Sequence, residues 1–191
     1  KMALEGIIQT VAFTMETRDP YTAGHQRRTA DLACAMGNFV GLNDFELEGI
    51  RLAATIHDIG KISVPSELLV KPTKLSKIEM DLIRHHVKAG YEILKNVDFP
   101  WPVAKILLQH HERLDGSGYP NGLQGSDIHF ESRILAIADV VEAMASSRPY
   151  RSALGIEAAL EEINKNSGRF YEPSVVEACL TLFNEKQFSF Q

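Results

Sequence analysis

His57 and Asp58 stand side by side in the stretch His57-Asp58-Ile59-Gly60-Lys61. A neutral imidazole beside a carboxylate offers two metal donors at one spot. Lys61 adds a mobile positive charge three residues on. Such a pair by itself is usually a solvated helix end. The chain supplies more, with seven histidines at His25, His57, His85, His86, His110, His111 and His129. His110-His111 closes the apolar run Ala104-Lys105-Ile106-Leu107-Leu108-Gln109. A lone buried histidine is more often a hydrogen-bonded core residue than a ligand, whereas a pair at a helix end is evenly balanced between the two. Asp139 lies within Ile134-Leu135-Ala136-Ile137-Ala138-Asp139-Val140-Val141, where a charge is costly unless paired or bound to metal. A helical bundle gathering His25, His57, Asp58, His86, His110, His111 and Asp139 would present a closed set of nitrogen and oxygen donors. That number suits two metal ions better than one.

The elements that must position these residues read as helices. Apolar residues recur at helical spacing over 3–17, through Leu4, Ile7, Ile8, Val11, Ala12 and Met15, until Asp19-Pro20 breaks the pattern. A second helix is expected from Tyr21 to Val40, with Gly41 after its end. Asn43 with Glu46, and Ser76 with Glu79, have the spacing of capping boxes. The first opens the helix that delivers His57 and Asp58, with Leu52, Ile56 and Ile59 toward the core. The second opens a helix expected to run to Asn96, after an irregular stretch over 60–75. Further helices are expected over Val103–Glu112, Phe130–Ala145, Ile156–Asn164 and Ser174–Asn184. Between them, 113–128 is a glycine-rich loop holding Gly116, Gly118, Tyr119, Pro120, Gly122 and Gly125. A loop of that length usually binds something or is disordered, and its Tyr-Pro and glycine turns favour order. The fold class is therefore all-α, a bundle of about seven helices with one long functional loop.

Composition narrows the function. The chain has 191 residues, a net charge of −5 and 45% hydrophobic content, ordinary for one soluble domain with a real core. The acidic balance argues against binding a DNA or RNA duplex by a basic surface. An anionic ligand would need a local positive site, such as metal ions. Cys34 and Cys179 form no motif and read as two reduced thiols, as in the cytoplasm. No run approaches the roughly 18 apolar residues of a membrane span, so no membrane contact is expected within this chain. The organisation expected is one domain over 1–191, with an N-terminal helix over 1–19, continuing from an upstream sensory domain, and a catalytic core over 20–185.

Together these residues resemble a known family. His57-Asp58 with His25 upstream and Asp139 downstream is similar to the HD phosphohydrolase superfamily. Gln109-His110-His111-Glu112-Arg113-Leu114-Asp115-Gly116-Ser117-Gly118-Tyr119-Pro120 resembles the signature of its HD-GYP branch. So do Arg18-Asp19-Pro20-Tyr21-Thr22-Ala23-Gly24-His25 and Ser147-Arg148-Pro149-Tyr150-Arg151. The resemblance covers roughly residues 5–180. It implies an all-helical enzyme that hydrolyses cyclic di-GMP, a bacterial second messenger, with bound metals. By the same resemblance His25, His57, Asp58 and Asp139 hold a first metal. Asp58 bridges to a second, held also by His86, His110 and His111. His86 is taken over His85 because it stands four residues before Gly90. Trinuclear members carry a Glu where this chain has Tyr21, which points to two metals, iron or manganese. Val87 and His129 replace prolines usual in the family and carry no role.

The chemistry implied is in-line attack on a phosphodiester, with Lys61 donating to a phosphate or leaving oxygen. Arg148 and Arg151 would hold phosphate or guanine through their planar forks. Tyr119 would stack on or bond the ligand, with Gly116 and Gly118 permitting the loop's turn and Pro120 a structural neighbour. Glu112 and Asp115 would either orient metal-bound imidazoles or be solvated. The expected product is linear pGpG, with continuation to GMP left open. Rival readings are hydrolysis of another cyclic dinucleotide such as 3'3'-cyclic GMP-AMP, a non-catalytic cyclic-dinucleotide-binding signalling module, and an HD enzyme acting on nucleoside phosphates. A homodimer and signalling partners complete the expectation.

Overall fold

Capping chemistry and apolar spacing set the helices. The computed structural model describes residues 2–18, 24–146 and 154–190, with the side chains of 2–5 undescribed. The helices are α1 (Met2–Arg18), α2 (His25–Phe39), α3 (Asp44–Ile56), α4 (Ser66–Leu69), α5 (Lys77–Arg84), α6 (His86–Leu94), α7 (Val103–Gln109), α8 (Phe130–Ala145), α9 (Ile156–Lys165) and α10 (Pro173–Asn184). Among the described residues there is no strand, only isolated bridges Asp115–Gln124 and Ser167–Tyr171. Both capping boxes form. Asn43 Oδ1 accepts from the Glu46 amide at 3.1 Å, and Glu46 accepts from the Asn43 amide at 2.9 Å. Ser76 and Glu79 exchange the same pair of bonds at α5.

Helix α2 packs on α3 and α8, and α7 packs on α6 and α3. Small residues on the facing surfaces, Ala30, Ala33, Ala53 and Ala54, let α2 and α3 approach closely. Leu32, Met36, Ile50, Ile106, Leu107, Ile134, Leu135, Ile137 and Ile163 are fully buried between them. Each such side chain contributes about 1.5–3 kcal/mol by leaving water. This core brings together the starts of α2 and α6, the ends of α3 and α7 and one face of α8, and the polar site lies at that meeting point.

The structure departs from the sequence expectation in four places. The stretch 60–75 is not simply irregular: it holds a 3-10 turn, Ile59–Ser63, and the short α4. The helix expected from Ser76 to Asn96 is two, α5 and α6, separated at His85. The break coincides with His86 Nδ1 donating to the Ile83 carbonyl at 2.8 Å, where a side chain does the bonding of a backbone amide. The bundle therefore has ten α-helices among the described residues rather than about seven. On α1, Ile7 is exposed while Met15 is buried, so the apolar face there is narrower than the sequence suggests.

Gly60 is required by a close approach. A Cβ there would lie 1.9 Å from the His86 carbonyl oxygen, so the 3-10 turn can rest directly on the backbone of α6. Arg18, at the end of α1, ties to the same turn, donating to the Ile62 carbonyl at 2.6 Å.

Lys71 holds the start of α5 by donating to both Glu79 oxygens, at 2.7 and 2.9 Å. The Lys71 bond, then the Ser76 bonds, draw the Glu79 carboxyl down to about 2 from its usual 4.5. The folded state thus favours the ionised form, and this stabilisation is present above about pH 4.5 and is lost as pH falls towards 2. Thermal melts of wild type and Glu79→Gln should therefore differ by a constant gap above pH 5. That gap should close on acidification, and a gap that widened would contradict this account.

Candidate metal centre

Three histidines reach the centre by one local device. His57 follows α3 and donates Nδ1–H to the Ala54 carbonyl at 2.7 Å. His86 donates to the Ile83 carbonyl at 2.8 Å, and His110, following α7, donates to the Leu107 carbonyl at 2.6 Å. In each case the carbonyl is three residues back and belongs to a helix end, where backbone acceptors lack partners. A carbonyl can only accept, so Nδ1 carries the proton and Nε2 keeps its lone pair. Burial, the largest cause, lowers the His86 pKa and brings that of His110 down to about 3. His111 is likewise lowered, by burial and then by His110. His86, His110 and His111 thus stay neutral and able to ligate.

His25, at the start of α2, is held differently. Its Nδ1 bonds Glu142 Oε2 in a short contact. The other Glu142 oxygen accepts from Arg28 Nε at 2.8 Å and from Ser146 Oγ at 2.7 Å. Burial would lower the His25 pKa, but Asp139 and Glu142 outweigh it and raise it to about 9. A metal ion on Nε2 would take the place of that proton.

The Nε2 atoms of His25, His57, His86 and His110 are all buried and lack a hydrogen-bond partner among the described residues. At about 1–3 kcal/mol for each unsatisfied buried group, those of His57, His86 and His110 alone would cost about 3–9 kcal/mol, comparable with the whole stability of a domain. A satisfied structural histidine core would not leave its lone pairs this way. They converge instead on carboxylates. His25 Nε2 lies 3.9 Å and His57 Nε2 3.6 Å from Asp58 Oδ2. His86 Nε2 lies 3.6 Å from the other oxygen, Asp58 Oδ1. Asp139 Oδ1 is 3.3 Å from His25 Nε2 and 3.7 Å from His57 Nε2. Groups with metal-ligand spacing are His25, His57 and Asp58; His57, His110 and Asp139; and His86, His110 and His111. Burial raises the Asp58 carboxyl, but Lys61 and then His57 and His86 hold it well below the usual range. Asp139 is likewise held down against burial, by the His25 and His57 imidazoles beside it.

All seven residues expected to ligate are thus brought together, and His85 stays exposed on the helix break. Lys61 Nζ lies 2.7 Å from Asp58 Oδ2. Tyr119 stacks on the His111 ring, with centroids 4.8 Å apart and planes at 25°. It precedes Pro120 through a cis peptide bond. Gly118 does not serve the loop by positive φ: a Cβ there would meet the Glu112 Cα at 2.4 Å. Tyr21, Arg148, Pro149 and Arg151 lie outside the described residues.

Three acidic residues have roles that sequence reasoning missed. Glu112 neither orients an imidazole nor meets solvent. It is buried and accepts from the Asn121 amide at 2.7 Å and the Leu123 amide at 3.1 Å, clamping the glycine-rich loop. Asp115 caps the loop's own turn by accepting from the Ser117 amide at 3.0 Å. Glu142 went unassigned, although its spacing of three from Asp139 puts both on one face of α8. It fixes the tautomer and orientation of His25, as a carboxylate behind a metal-facing imidazole does.

Replacing Glu142 with Gln keeps the shape and removes the charge. Metal affinity should fall about tenfold, measured by chelator competition, with the helical circular dichroism unchanged. Gly60→Ala should lower both the melting temperature and the metal content, because the added methyl forces the turn off α6.

Comparison with known proteins agrees with this geometry. The family described as HD domain matches residues 10–175. The chain is 41% identical over 175 residues to the cyclic di-GMP phosphodiesterase response regulator RpfG of Xanthomonas campestris, covering 91% of this chain and 46% of that one. It is 38% identical over 181 residues to 3'3'-cGAMP-specific phosphodiesterase 2 of Vibrio cholerae, covering 94% and 35%. The chain therefore spans less than half the length of either relative. In fold it is similar to a cyclic GMP-AMP specific phosphodiesterase of Vibrio cholerae, with a TM-score of 0.71 at 18% identity over 95% of this chain and 49% of that one. No helix among the described residues is long and apolar enough to cross a membrane. The chain belongs to the HD domain family.

Proposed function

We propose that this chain is a metal-dependent phosphodiesterase that hydrolyses cyclic di-GMP to linear pGpG in bacterial second-messenger signalling, with onward hydrolysis to GMP left open. The observation that supports it most is the way Asp58 divides its oxygens. Oδ2 faces His25 and His57, and Oδ1 faces His86, the placement of a carboxylate shared by two ions. In this reading His25, His57, Asp58 and Asp139 hold one divalent ion, iron or manganese. Asp58, His86, His110 and His111 hold the second. Two such ions supply an activated water and positive charge at the phosphate oxygens of an in-line displacement.

The chain's own residues do the rest. Glu142 keeps the His25 lone pair aimed inward. Lys61 stands beside Asp58, where its ammonium can donate to the leaving oxygen as negative charge develops there. Tyr119, stacked on His111, forms a flat wall beside the second trio. Arg148 and Arg151 take phosphate or guanine, and Gly118 and Pro120 shape the loop that carries Tyr119. A single domain over 1–191 working in the cytoplasm, an upstream sensory domain and a homodimer complete the proposal.

A second reading is hydrolysis of 3'3'-cyclic GMP-AMP. It is favoured by the 38% identity to a phosphodiesterase named for that substrate, close to the 41% for the cyclic di-GMP relative.

Elemental analysis and turnover should be measured on the same purified samples. We expect about two transition metals per chain and cleavage of cyclic di-GMP in preference to cyclic GMP-AMP. Asp58→Ala should lose metal and activity together. Lys61→Ala should keep its metal and lose about 10²–10³-fold in kcat. A metal-filled wild type that binds cyclic di-GMP without cleaving it would replace the enzyme with a binding module. A preference for cyclic GMP-AMP would select the second reading.

A further inference from the structure

We infer that Arg84 binds the phosphodiester of the cyclic dinucleotide that is not being cleaved. This rests on the phosphodiesterase reading above and extends its site beyond the metal trios.

Arg84 is the last residue of α5, a helix with no buried residue. The plain reading of such a residue is a cation at a helix C-terminus, paired along the helix with Asp81 at 3.3 Å. That pair is half in water, with side-chain exposures of 50% and 54%. A pair of that kind contributes little and is readily exchanged for another anion.

The placement of the guanidinium goes beyond this reading. It lies over the Tyr119 ring, 5.3 Å from its centroid, and Tyr119 stacks on His111 of the second histidine trio. Metal-facing imidazole, aromatic ring and guanidinium thus follow one another from the buried cluster to the surface. The helix break at His85 produces this arrangement. It turns His86 inward while Arg84, two residues earlier, stays at the rim.

Among the described residues, three other cations of the site and its loop are engaged elsewhere. Lys61 is on Asp58. Arg113 donates to the Glu112 carbonyl at 2.9 Å and lies over Tyr171. Arg169 lies over Phe170 and reaches Asp115. Arg84 has donors left over and faces the loop from the α5 side.

A cyclic dinucleotide carries two phosphodiester anions, and only one can sit on the metal pair at a time. The other needs a cation beyond the first ring of the site. An arginine resting on an aromatic ring offers a fixed orientation and several N–H donors to it. A single-phosphate diester such as bis(4-nitrophenyl) phosphate has no second anion and would not use this contact.

The test compares wild type, Arg84→Gln and Arg84→Lys on cyclic di-GMP and on bis(4-nitrophenyl) phosphate, alongside equilibrium binding of cyclic di-GMP to the metal-loaded proteins. Arg84→Gln should raise KM for cyclic di-GMP at least tenfold with kcat within threefold, and weaken binding by a similar factor. Arg84→Lys should keep part of the affinity, because a phosphate still accepts from a point charge although the planar seat on Tyr119 is lost. Hydrolysis of the single-phosphate diester should be unchanged in both variants. Equal losses on both substrates would mean that Arg84 only supports Tyr119, and no loss on either would mean that it touches nothing; both overturn the inference. A lysine variant as weak as the glutamine variant would overturn the phosphate assignment. If wild type binds cyclic di-GMP in an Arg84-dependent way without cleaving it, the phosphodiesterase reading fails and this inference stands. If it does not bind, both fail.

Discussion

The centre depends on one small interaction made three times. An imidazole just past a helix end donates to the carbonyl three residues back, as His57 does to Ala54, His86 to Ile83 and His110 to Leu107. The bond satisfies an acceptor that the helix end leaves open. It also fixes which ring nitrogen holds the proton and which way the other points. Helix termination and ligand preorganisation are thus the same event. A histidine in mid-helix would find the carbonyl three residues back already taken by the amide of the following residue and would have no comparable anchor. This is why the site gathers at the ends of α3, α5 and α7 rather than along their faces.

The second constraint is charge. Asp58 and Asp139 are carboxylates set into a mainly apolar bundle, and burial alone would push both toward the neutral acid. Imidazoles and Lys61 hold them ionised instead. The one ring that reverses the pattern is His25, which faces Asp139 on one nitrogen and Glu142 on the other and is raised to about 9. That ring is the place where proton and metal compete most directly. Arg28 and Ser146 then share the charge of Glu142, so the carboxylate behind His25 is itself held on three sides.

The loop side of the site is rigid for reasons unrelated to metal. Glu112 accepts two loop amides from a buried position. Gly118 crosses the backbone of Glu112 at a separation that no side chain would fit. Tyr119 is then stacked against His111 before any ligand arrives. A wall assembled in advance costs less ordering entropy on binding than a loop that must fold around its ligand. The same loop leaves the Arg84 side of the ring at the surface, where a charged ligand can reach it.

Much of this was legible in the sequence. The histidines, Asp58 and Asp139 stood out because a charge or a histidine pair in an apolar helical run needs a reason, and the reason is local to the chain. Both capping boxes were legible too, since their partners lie three residues apart. What the sequence did not determine is what distant segments do to each other. Whether Glu112 faces an imidazole or a loop amide depends on how residues 121 and 123 fold back over it. Whether residues 76–96 form one helix or two depends on His86 turning inward to a site built from α2, α3, α7 and α8. Gly60 reads as an ordinary helix stop until the backbone of α6 is laid against it. Residue types and short spacings thus picked out the candidate donors by themselves, with the choice of His86 over His85 resting on the family resemblance. Tertiary structure decided which histidines each Asp58 oxygen faces, the carboxylate behind His25 and the placement of Arg84, because each is set by the distance between atoms on different helices.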